Sequence, residues 1–474
     1  MQMSFAEKIA DINSAINGVV WGVPMIILIL AVGLWLTGGS GLVQFRHFGY
    51  AMKNTLGKIF KQQKTTDKGA VTPFQAVTTA LASTVGTGNI AGVAGAIAIG
   101  GPGAVFWMWI SALVGMATKY AEVVLAIKYR ERDSKGDWVG GPMYYIKNGL
   151  GNSWKWLAAV FCVLGALAAF GIGNIAQINS IVGCLDDLVL TFSANPDAVN
   201  VKTINLIFGV ALAIILGFII IGGIKRIAAT TEKLVPFMAV IYIIGALIVV
   251  IAHIGDLGHV FGMIFKGAFG VDAVIGGGAG YVIMTAMKKG FARGIFSNEA
   301  GLGSAPMAHA AADTEGPVQQ GVYGILEVFL DTIVICTLTA LVILISGVAV
   351  PYGEGAGASL TTAGLATVFG AKAATVFMVI ALSCFAFSTI LGWSLYGARC
   401  VQFLFGSGAI RVYQILFLIV AVCGATMNLT LAWDISDTLN ALMAIPNLIA
   451  VAALSPVVFK LTKEHFAQVK AGKE

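Results

Sequence analysis

Residues 82–92 read Ala82-Ser83-Thr84-Val85-Gly86-Thr87-Gly88-Asn89-Ile90-Ala91-Gly92, in the middle of an apolar stretch that spans about Pro73–Ile99. Glycines that weaken a helix stand here among hydroxyl and amide side chains, at the depth where a membrane span is greasiest. The rest of the chain shows why the depth matters. Of its 474 residues 58% are hydrophobic and 11% charged, against roughly 25% charged in soluble domains. Backbone released from a helix inside a bilayer cannot face lipid, because each unpaired N–H or C=O costs several kcal/mol there. It must line a cavity in the protein.

Apolar stretches of spanning length, about 20 residues each, recur from end to end. They are Val19–Leu36, Pro73–Ile99, Ala104–Ala126, Trp156–Ile181, Ile204–Ile221, Leu234–Ile251, Ala279–Ala310, Val318–Ile345, Ala374–Phe403, Val412–Met427 and Leu439–Phe459. This predicts an all-α integral membrane protein of about eleven transmembrane helices. The first span has no A-x-A-like cleavage site and reads as a retained helix. A second span is interrupted as the first quoted one is, by Gly294-Ile295-Phe296-Ser297-Asn298-Glu299-Ala300-Gly301-Leu302-Gly303-Ser304-Ala305-Pro306. With Val19–Leu36 set aside, the two interrupted spans each open a group of five. Interrupted segments at matching places in two halves point to a transporter built from inverted repeats. The expected organisation is an N-terminal helix and basic loop over 1–71, repeats over 72–258 and 259–460, and a tail over 461–474.

Loop charge predicts the orientation. Thr37–Thr72 carries Arg46, Lys53, Lys58, Lys61, Lys64 and Lys68 against Asp67. The Lys128–Gly151 loop adds Arg130, Arg132, Lys135 and Lys147, the Gly222–Lys233 loop Lys225 and Arg226, and the tail Lys460, Lys463, Lys470 and Lys473. Alternate loops hold Asp186, Asp187, Asp197, Asp256, Asp272, Glu354, Asp434 and Asp437. The positive-inside bias then puts the N-terminus outside and the C-terminus in the cytoplasm. One inner loop, near Asp313 and Glu315, lacks a basic residue. The net charge of +6 is accounted for by these loops, so no nucleic acid partner is expected. The partners expected are membrane lipid and a small solute.

A half-helix N-terminus offers free N–H groups, and a half-helix C-terminus offers carbonyl oxygens. An amino acid needs both in one pocket; sodium needs oxygens alone. Thr87, Gly88 and Asn89 are the candidates for a carboxylate, through backbone N–H groups and the Asn89 amide. The carbonyls of Ala82 and Val85 are candidates for a cation. Phe296, Ser297 and Asn298 stand in the second interruption and are candidates to line the same pocket. In the ninth span Ser388 and Thr389 offer hydroxyls, either to a cation or to the carbonyl one turn back. Trp393 shares a helix face with Thr389. In the fourth span Phe170, Asn174 and Gln177 either face the pocket or pack. Intramembrane charge is expensive and usually functional. Lys119 and Glu122 either pair or snorkel, while Glu299, Glu327 and Asp331 gate or pair with Lys288, Lys289 or Arg293.

Other classes fit poorly. Gly86 to Ala91 and Gly171 to Ala176 match G-x-G-x-x-A, but neither stands in the strand-turn-helix context a dinucleotide needs. The six cysteines are scattered without a C-x-x-C and suggest no disulfide framework or zinc site. There is no H-E-x-x-H and no G-x-S-x-G, so neither an enzyme nor a cofactor is expected.

Several runs resemble the alanine/glycine:cation symporter family. They are Gly100-Gly101-Pro102-Gly103, Phe106-Trp107-Met108-Trp109, Gly115 to Glu122, Gly140-Gly141-Pro142-Met143-Tyr144, Ile295 to Pro306 and Phe387 to Trp393. The resemblance covers about Val19 to Phe459. It implies a leucine-transporter-type 5+5 inverted repeat with one extra N-terminal helix, in a bacterial inner membrane. It also implies sodium-coupled import of alanine or glycine by alternating access. Thr87 and Gly88 then take the carboxylate role, and Ala82, Val85, Ser388 and Thr389 the sodium role. Ser83 and Thr84 stand where the wider fold often has Asn or Asp. The alternative is a proton-coupled carrier using Glu122, Glu299 or Asp331.

Overall fold

The computed structural model describes residues 5–58, 65, 67, 69–195, 199–270, 279–427 and 429–472. Of the loop charges, Lys61, Lys64, Lys68, Asp197, Asp272 and Lys473 lie outside the described residues, as does the Asp434 side chain.

Every expected span falls on a helix or a helix pair. Helices α1 (Phe5–Val20) and α2 (Val23–Gly39) form the N-terminal crossing, with a turn at Trp21-Gly22 where Pro24 opens the second helix. The first interrupted span is α3 (Pro73–Thr84) and α4 (Ala91–Gly100), followed by α5 (Gly103–Lys128). Next come α6 (Lys155–Phe170) and α7 (Ala176–Phe192), joined by a π-helical turn over Gly171–Ile175. Helices α8 (Val201–Ile220) and α9 (Gly223–Ala252) complete the first group, and α10 (Leu257–Ala268) follows. The second interrupted span is α11 (Ala279–Asn298) and the single turn α12 (Pro306–His309). Helices α13 (Pro317–Val328) and α14 (Thr337–Ile345) flank a second π segment, Phe329–Cys336. Four helices finish the chain: α15 (Ala358–Phe369), α16 (Ala371–Phe405), α17 (Ala409–Gly424) and α18 (Leu429–Lys470).

Among the described residues, eight helices are long and apolar enough to cross a membrane, and the bent pair α3–α4 makes a ninth crossing. The two spans missing from that set are the polar one and the short one: α11 carries Lys288, Lys289 and Arg293, and α17 has 16 residues.

Local sequence explains the start of α3. Thr72 Oγ1 accepts the Gln75 N–H at 3.0 Å while Gln75 Oε1 accepts the Thr72 N–H at 3.1 Å, with Pro73 at the first helical position. This reciprocal cap satisfies donors that would otherwise be orphaned at the helix start. Helix α5 is the central post, packed along α11 and α13. Glycines allow the approach: a Cβ at Gly290 would stand 2.5 Å from the Ala104 carbonyl, and one at Gly324 3.0 Å from the Lys119 side chain. Small residues let membrane helices close up in this way.

The N-terminal crossing packs against α5 and α18. Trp35 Nε1 donates to Ser455 Oγ at 2.9 Å, and Gly33 abuts Val114 and Thr118 of α5. Helix α18 continues to Lys470, into the segment expected as a tail; there His47 stacks on Phe466 at 3.5 Å. Helices α10 and α15 were not foreseen. In α10, Val260, Ile264 and Ala268 form one buried face, and Trp107 Nε1 donates to the Ala268 carbonyl at 3.3 Å.

The loop after α5 folds as a two-stranded hairpin, β1 (Glu131–Arg132) with β2 (Trp138–Val139). Arg130 and Arg132 sit over the Trp138 ring at 4.1 and 4.3 Å. Arg132 and Trp138 both hydrogen-bond Asp67, and chiefly the Arg132 bond holds that carboxyl down at about 2. Arg130 also answers the loop that lacked a basic residue: it donates to the carbonyls of Ala310 and Ala312 at 3.0 and 2.6 Å.

Candidate functional site: two broken helices face to face

The first break begins where α3 ends. The pair α3–α4 bends by 57°. The Gly86 N–H, which would close the next turn on the Ala82 carbonyl, turns instead to Asn89 Oδ1 at 2.8 Å. That releases the Ala82 carbonyl, and Ser388 Oγ of α16 lies 3.1 Å from it. A Cβ on Gly86 would stand 2.4 Å from Thr389 Oγ1, so only glycine lets the break lie this close to α16. Ser388 and Thr389 also donate to the Phe385 carbonyl, at 2.8 and 3.0 Å. Both readings of these hydroxyls therefore hold: they bond one turn back and still reach the break. The structure thus brings Ala82, Ser388 and Thr389 together. Val85 caps α3 beside them, its N–H on the Leu81 carbonyl at 2.8 Å.

The second break lies against the first. A Cβ on Gly88 would meet Phe296 Cδ1 at 3.1 Å and Ser297 Cα at 3.4 Å. Past Asn298 the chain turns through Glu299, Gly301 and Gly303, with φ of +56°, +91° and +77°. The left-handed region suits the glycines; for Glu299 it costs of order 1–3 kcal/mol, sustained only when surroundings fix it. They do: Glu299 accepts from Ser304 Oγ and from Trp393 Nε1, the latter at 2.7 Å.

Asp331 joins the two breaks. Its Oδ1 accepts from Asn89 Nδ2 at 2.6 Å and from Ser297 Oγ at 3.1 Å, and its Oδ2 from Thr332 Oγ1 at 2.7 Å. It belongs to the π segment, where the irregular turn lets Asn89 also donate to the Asp331 backbone carbonyl at 3.2 Å. Single π turns in helices are frequent at functional sites.

These bonds give several candidate residues partners within the protein. The Asn89 amide, a candidate for the carboxylate, bonds within the protein, accepting the Gly86 N–H and donating to Asp331. Asn298 likewise braces the second break, donating to Thr332 Oγ1 at 3.0 Å and accepting the Ala300 N–H at 3.0 Å. Gln177 Oε1 accepts the Thr87 N–H at 3.4 Å while its Nε2 holds the Ile172 carbonyl at 2.9 Å, so it occupies a donor assigned to substrate. Phe170 packs against Tyr413 and Phe417, with ring centroids at 5.1 and 5.8 Å. Asn174 donates to the Phe417 carbonyl at 2.7 Å. What stays turned to the break is the Thr87 hydroxyl, buried and without a partner among the described residues. Such an orphan costs about 1–3 kcal/mol, which a ligand oxygen or cation would recover.

The buried charges also pair differently from the expectation. Lys119 Nζ is 3.1 Å from Glu327 Oε1, and His309 Nε2 is 3.1 Å from Glu327 Oε2. Glu122 Oε1 accepts from Asn447 Nδ2 at 2.5 Å, and the same amide holds the Gly301 carbonyl at 2.8 Å. The Arg293 guanidinium grips Asp437 at 2.9 and 3.2 Å and lies over the Phe296 ring. Charge that costs this much to bury is retained when it is paired. His309 and Asn447 were not foreseen in this network, nor were Gln320, whose Nε2 lies 2.9 Å from His309 Nδ1, and Tyr145, whose hydroxyl donates to Asn447 Oδ1. An amide at position 447, beside Pro446 in a greasy span, was the available signal.

Comparison with known proteins identifies the family. The model of the "Sodium:alanine symporter family" matches residues 6–474. The chain is 47% identical over 454 residues to "Sodium/alanine symporter AgcS" of Methanococcus maripaludis, covering 95% of this chain and 96% of that one. It is 39% identical to "Probable sodium/glutamine symporter GlnT" of Bacillus subtilis, covering 97% and 91%. Among solved structures, MhsT in complex with L-phenylalanine superposes with a TM-score of 0.58 at 12% identity, covering 85% of this chain and 99% of that one. That likeness shows the leucine-transporter-type fold. The protein with this pair of broken helices is a multi-pass membrane transporter, not an enzyme, and it belongs to the sodium:alanine symporter family.

Proposed function

We propose that the protein imports small neutral amino acids, alanine and glycine among them, coupled to sodium and by alternating access. The observation that carries the reading is the 3.1 Å approach of Ser388 Oγ to the freed Ala82 carbonyl, with Thr389 Oγ1 against Gly86. A hard cation wants oxygens, and this junction gathers backbone and hydroxyl oxygens from both halves without a carboxylate. Sodium there ties α3 to α16. The substrate carboxylate takes the Gly88 N–H region and the orphaned Thr87 hydroxyl. Phe296 beside Gly88, and Trp393 closed against Gly173, leave room for a small side chain.

In this reading the repeats over 72–258 and 259–460 rock against each other, with the N-terminus outside and the C-terminus in the cytoplasm. The ions and the amino acid shift the outward–inward balance only through their different affinities for the two states. The test is alanine uptake into proteoliposomes with and without an inward sodium gradient. Sodium-driven accumulation is expected; uptake indifferent to sodium refutes the coupling. A second reading, proton coupling, has its own observation: Glu122, Glu299, Glu327 and Asp331 are all buried near Lys119, and Glu122 Oε2 has no partner among the described residues. Accumulation driven by a pH gradient in sodium-free vesicles would establish it instead.

A further inference from the structure

We propose that the face between α8 and α17 holds an anionic phospholipid, with its acyl chains in an apolar groove and its phosphate in the basic cavity that adjoins it. The groove, about 530 Å³, is lined by Val210, Ile214, Gly217, Ile415, Leu418 and Ile419. Small residues four apart on α8 hollow it out: Gly209, Ala213 and Gly217. At Gly209 the helices touch, since a Cβ there would stand 2.5 Å from Ala425. At Gly217 the nearest atom to such a Cβ is Leu418 Cδ1, at 3.3 Å. The outer walls, Ile214, Phe218, Ile221, Ile415 and Ile419, are exposed, as lipid-facing residues are.

The groove adjoins a second cavity at Ile221. Ile221 also lines a cavity of about 540 Å³ bounded by Asp133, Asp137, Lys135, Lys225, Arg399 and Arg411. This cavity lies among the basic loops. Arg399 is 7% exposed, donates to Gln402 Oε1 at 2.7 Å, and has an Nε without a partner among the described residues. The Asp133 carboxylate is already engaged, with Gln402 Nε2 at 2.9 Å and the backbone N–H groups of Lys135 and Asp137 at 2.9 and 3.0 Å. A buried guanidinium with a free donor is costly unless an anion meets it, and Arg matches phosphate geometry better than any other side chain.

An apolar groove that meets a basic cavity at Ile221 has the shape and charge of one phospholipid. Basic pockets between transmembrane helices on the cytoplasmic side are where anionic headgroups bind. The occupant would also touch the helix that carries the proposed ion site. Arg399 stands on the same helix as Ser388 and Thr389, so the headgroup would brace α16 against the α8–α9 turn.

Native mass spectrometry of the full chain, taken from vesicles of equal phosphatidylglycerol and phosphatidylethanolamine, tests this. The expected result is retained phosphatidylglycerol in preference, by about fivefold per phosphate-facing cation. Arg411→Ala, an exposed position, should cut that preference. Gly217→Leu should fill the groove and release both lipids, and both variants should keep sodium-dependent uptake. Arg399→Lys should keep the charge and lose most of the selectivity. Equal retention of the two lipids, or unchanged retention in both Arg411→Ala and Gly217→Leu, would overturn the proposal. So would displacement of the lipid by millimolar glycerol 3-phosphate, which would assign the cavity to a free anion.

Discussion

Replacing Gly86 by alanine should weaken sodium activation, and deleting the Thr389 hydroxyl should remove the steric part of that damage. The added Cβ would stand 2.4 Å from Thr389 Oγ1; the next atoms, Thr389 Cβ at 3.4 Å and Gln177 Oε1 at 3.5 Å, are in ordinary contact. The whole overlap, roughly 1 Å, therefore falls on one oxygen. Overpacking of this kind costs about 1–3 kcal/mol in a well-packed interior. Where the strain exists only with α3 and α16 closed on the ion, that cost appears as a rise of about 5- to 150-fold in half-saturating sodium. The assay is alanine uptake against sodium concentration in proteoliposomes, for Gly86→Ala, Thr389→Ala and the double variant. Thr389→Ala alone loses the proposed ligand oxygen and should also require more sodium. The double variant should be no worse than Thr389→Ala, giving a coupling of about 1–3 kcal/mol. Strictly additive effects would refute the claim that these two residues meet at the ion.

Three further outcomes follow from the buried contacts. Lys119→Met leaves Glu327 with His309 alone and should lower thermal stability in detergent by about 3–5 kcal/mol; Lys119→Met with Glu327→Gln should recover much of it. Trp393→Phe removes the Nε1 bond that holds Glu299 in its left-handed turn. Transport should fall with a loss of about 1.5–3 kcal/mol, and normal uptake would show that the second break needs no such brace. The Asp67 carboxyl, held at about 2 against the ordinary 3.8, keeps its bond to Arg132 above pH 3.8 and loses it as pH falls through 2. The hairpin loop should thus resist pepsin at pH 3 in the wild type and be cut in Asp67→Asn.

The architecture was legible because it rests on two coarse signals, span-length hydrophobicity and glycine among polar residues at mid-span. Both breaks fell where Gly86-Thr87-Gly88 and Gly301-Leu302-Gly303 stood in the sequence. Side-chain roles were less legible. Asn89, Asn298 and Gln177 are amides that suit a zwitterion, yet each can equally satisfy backbone freed by the break beside it, and the structure uses them that way. Asp331 could not be placed, because its reach depends on a π turn that no local pattern in Phe329–Cys336 announces. Lys119 and Glu327 lie 208 positions apart, and only the packing of α5 on α13 joins them. The hydroxyls fared better: Ser388 and Thr389 are adjacent on a rigid helix, so the approach of one break sufficed to bring both to the Ala82 carbonyl region.

The most direct measurement is equilibrium binding of labelled alanine to the purified protein as sodium is raised at constant ionic strength. If the ion sits between α3 and α16 and completes the amino-acid site, alanine affinity rises with sodium, and alanine raises sodium affinity by the same factor. The rise disappears in Thr389→Ala. Alanine affinity that stays flat from sodium-free buffer to saturating sodium would contradict the account.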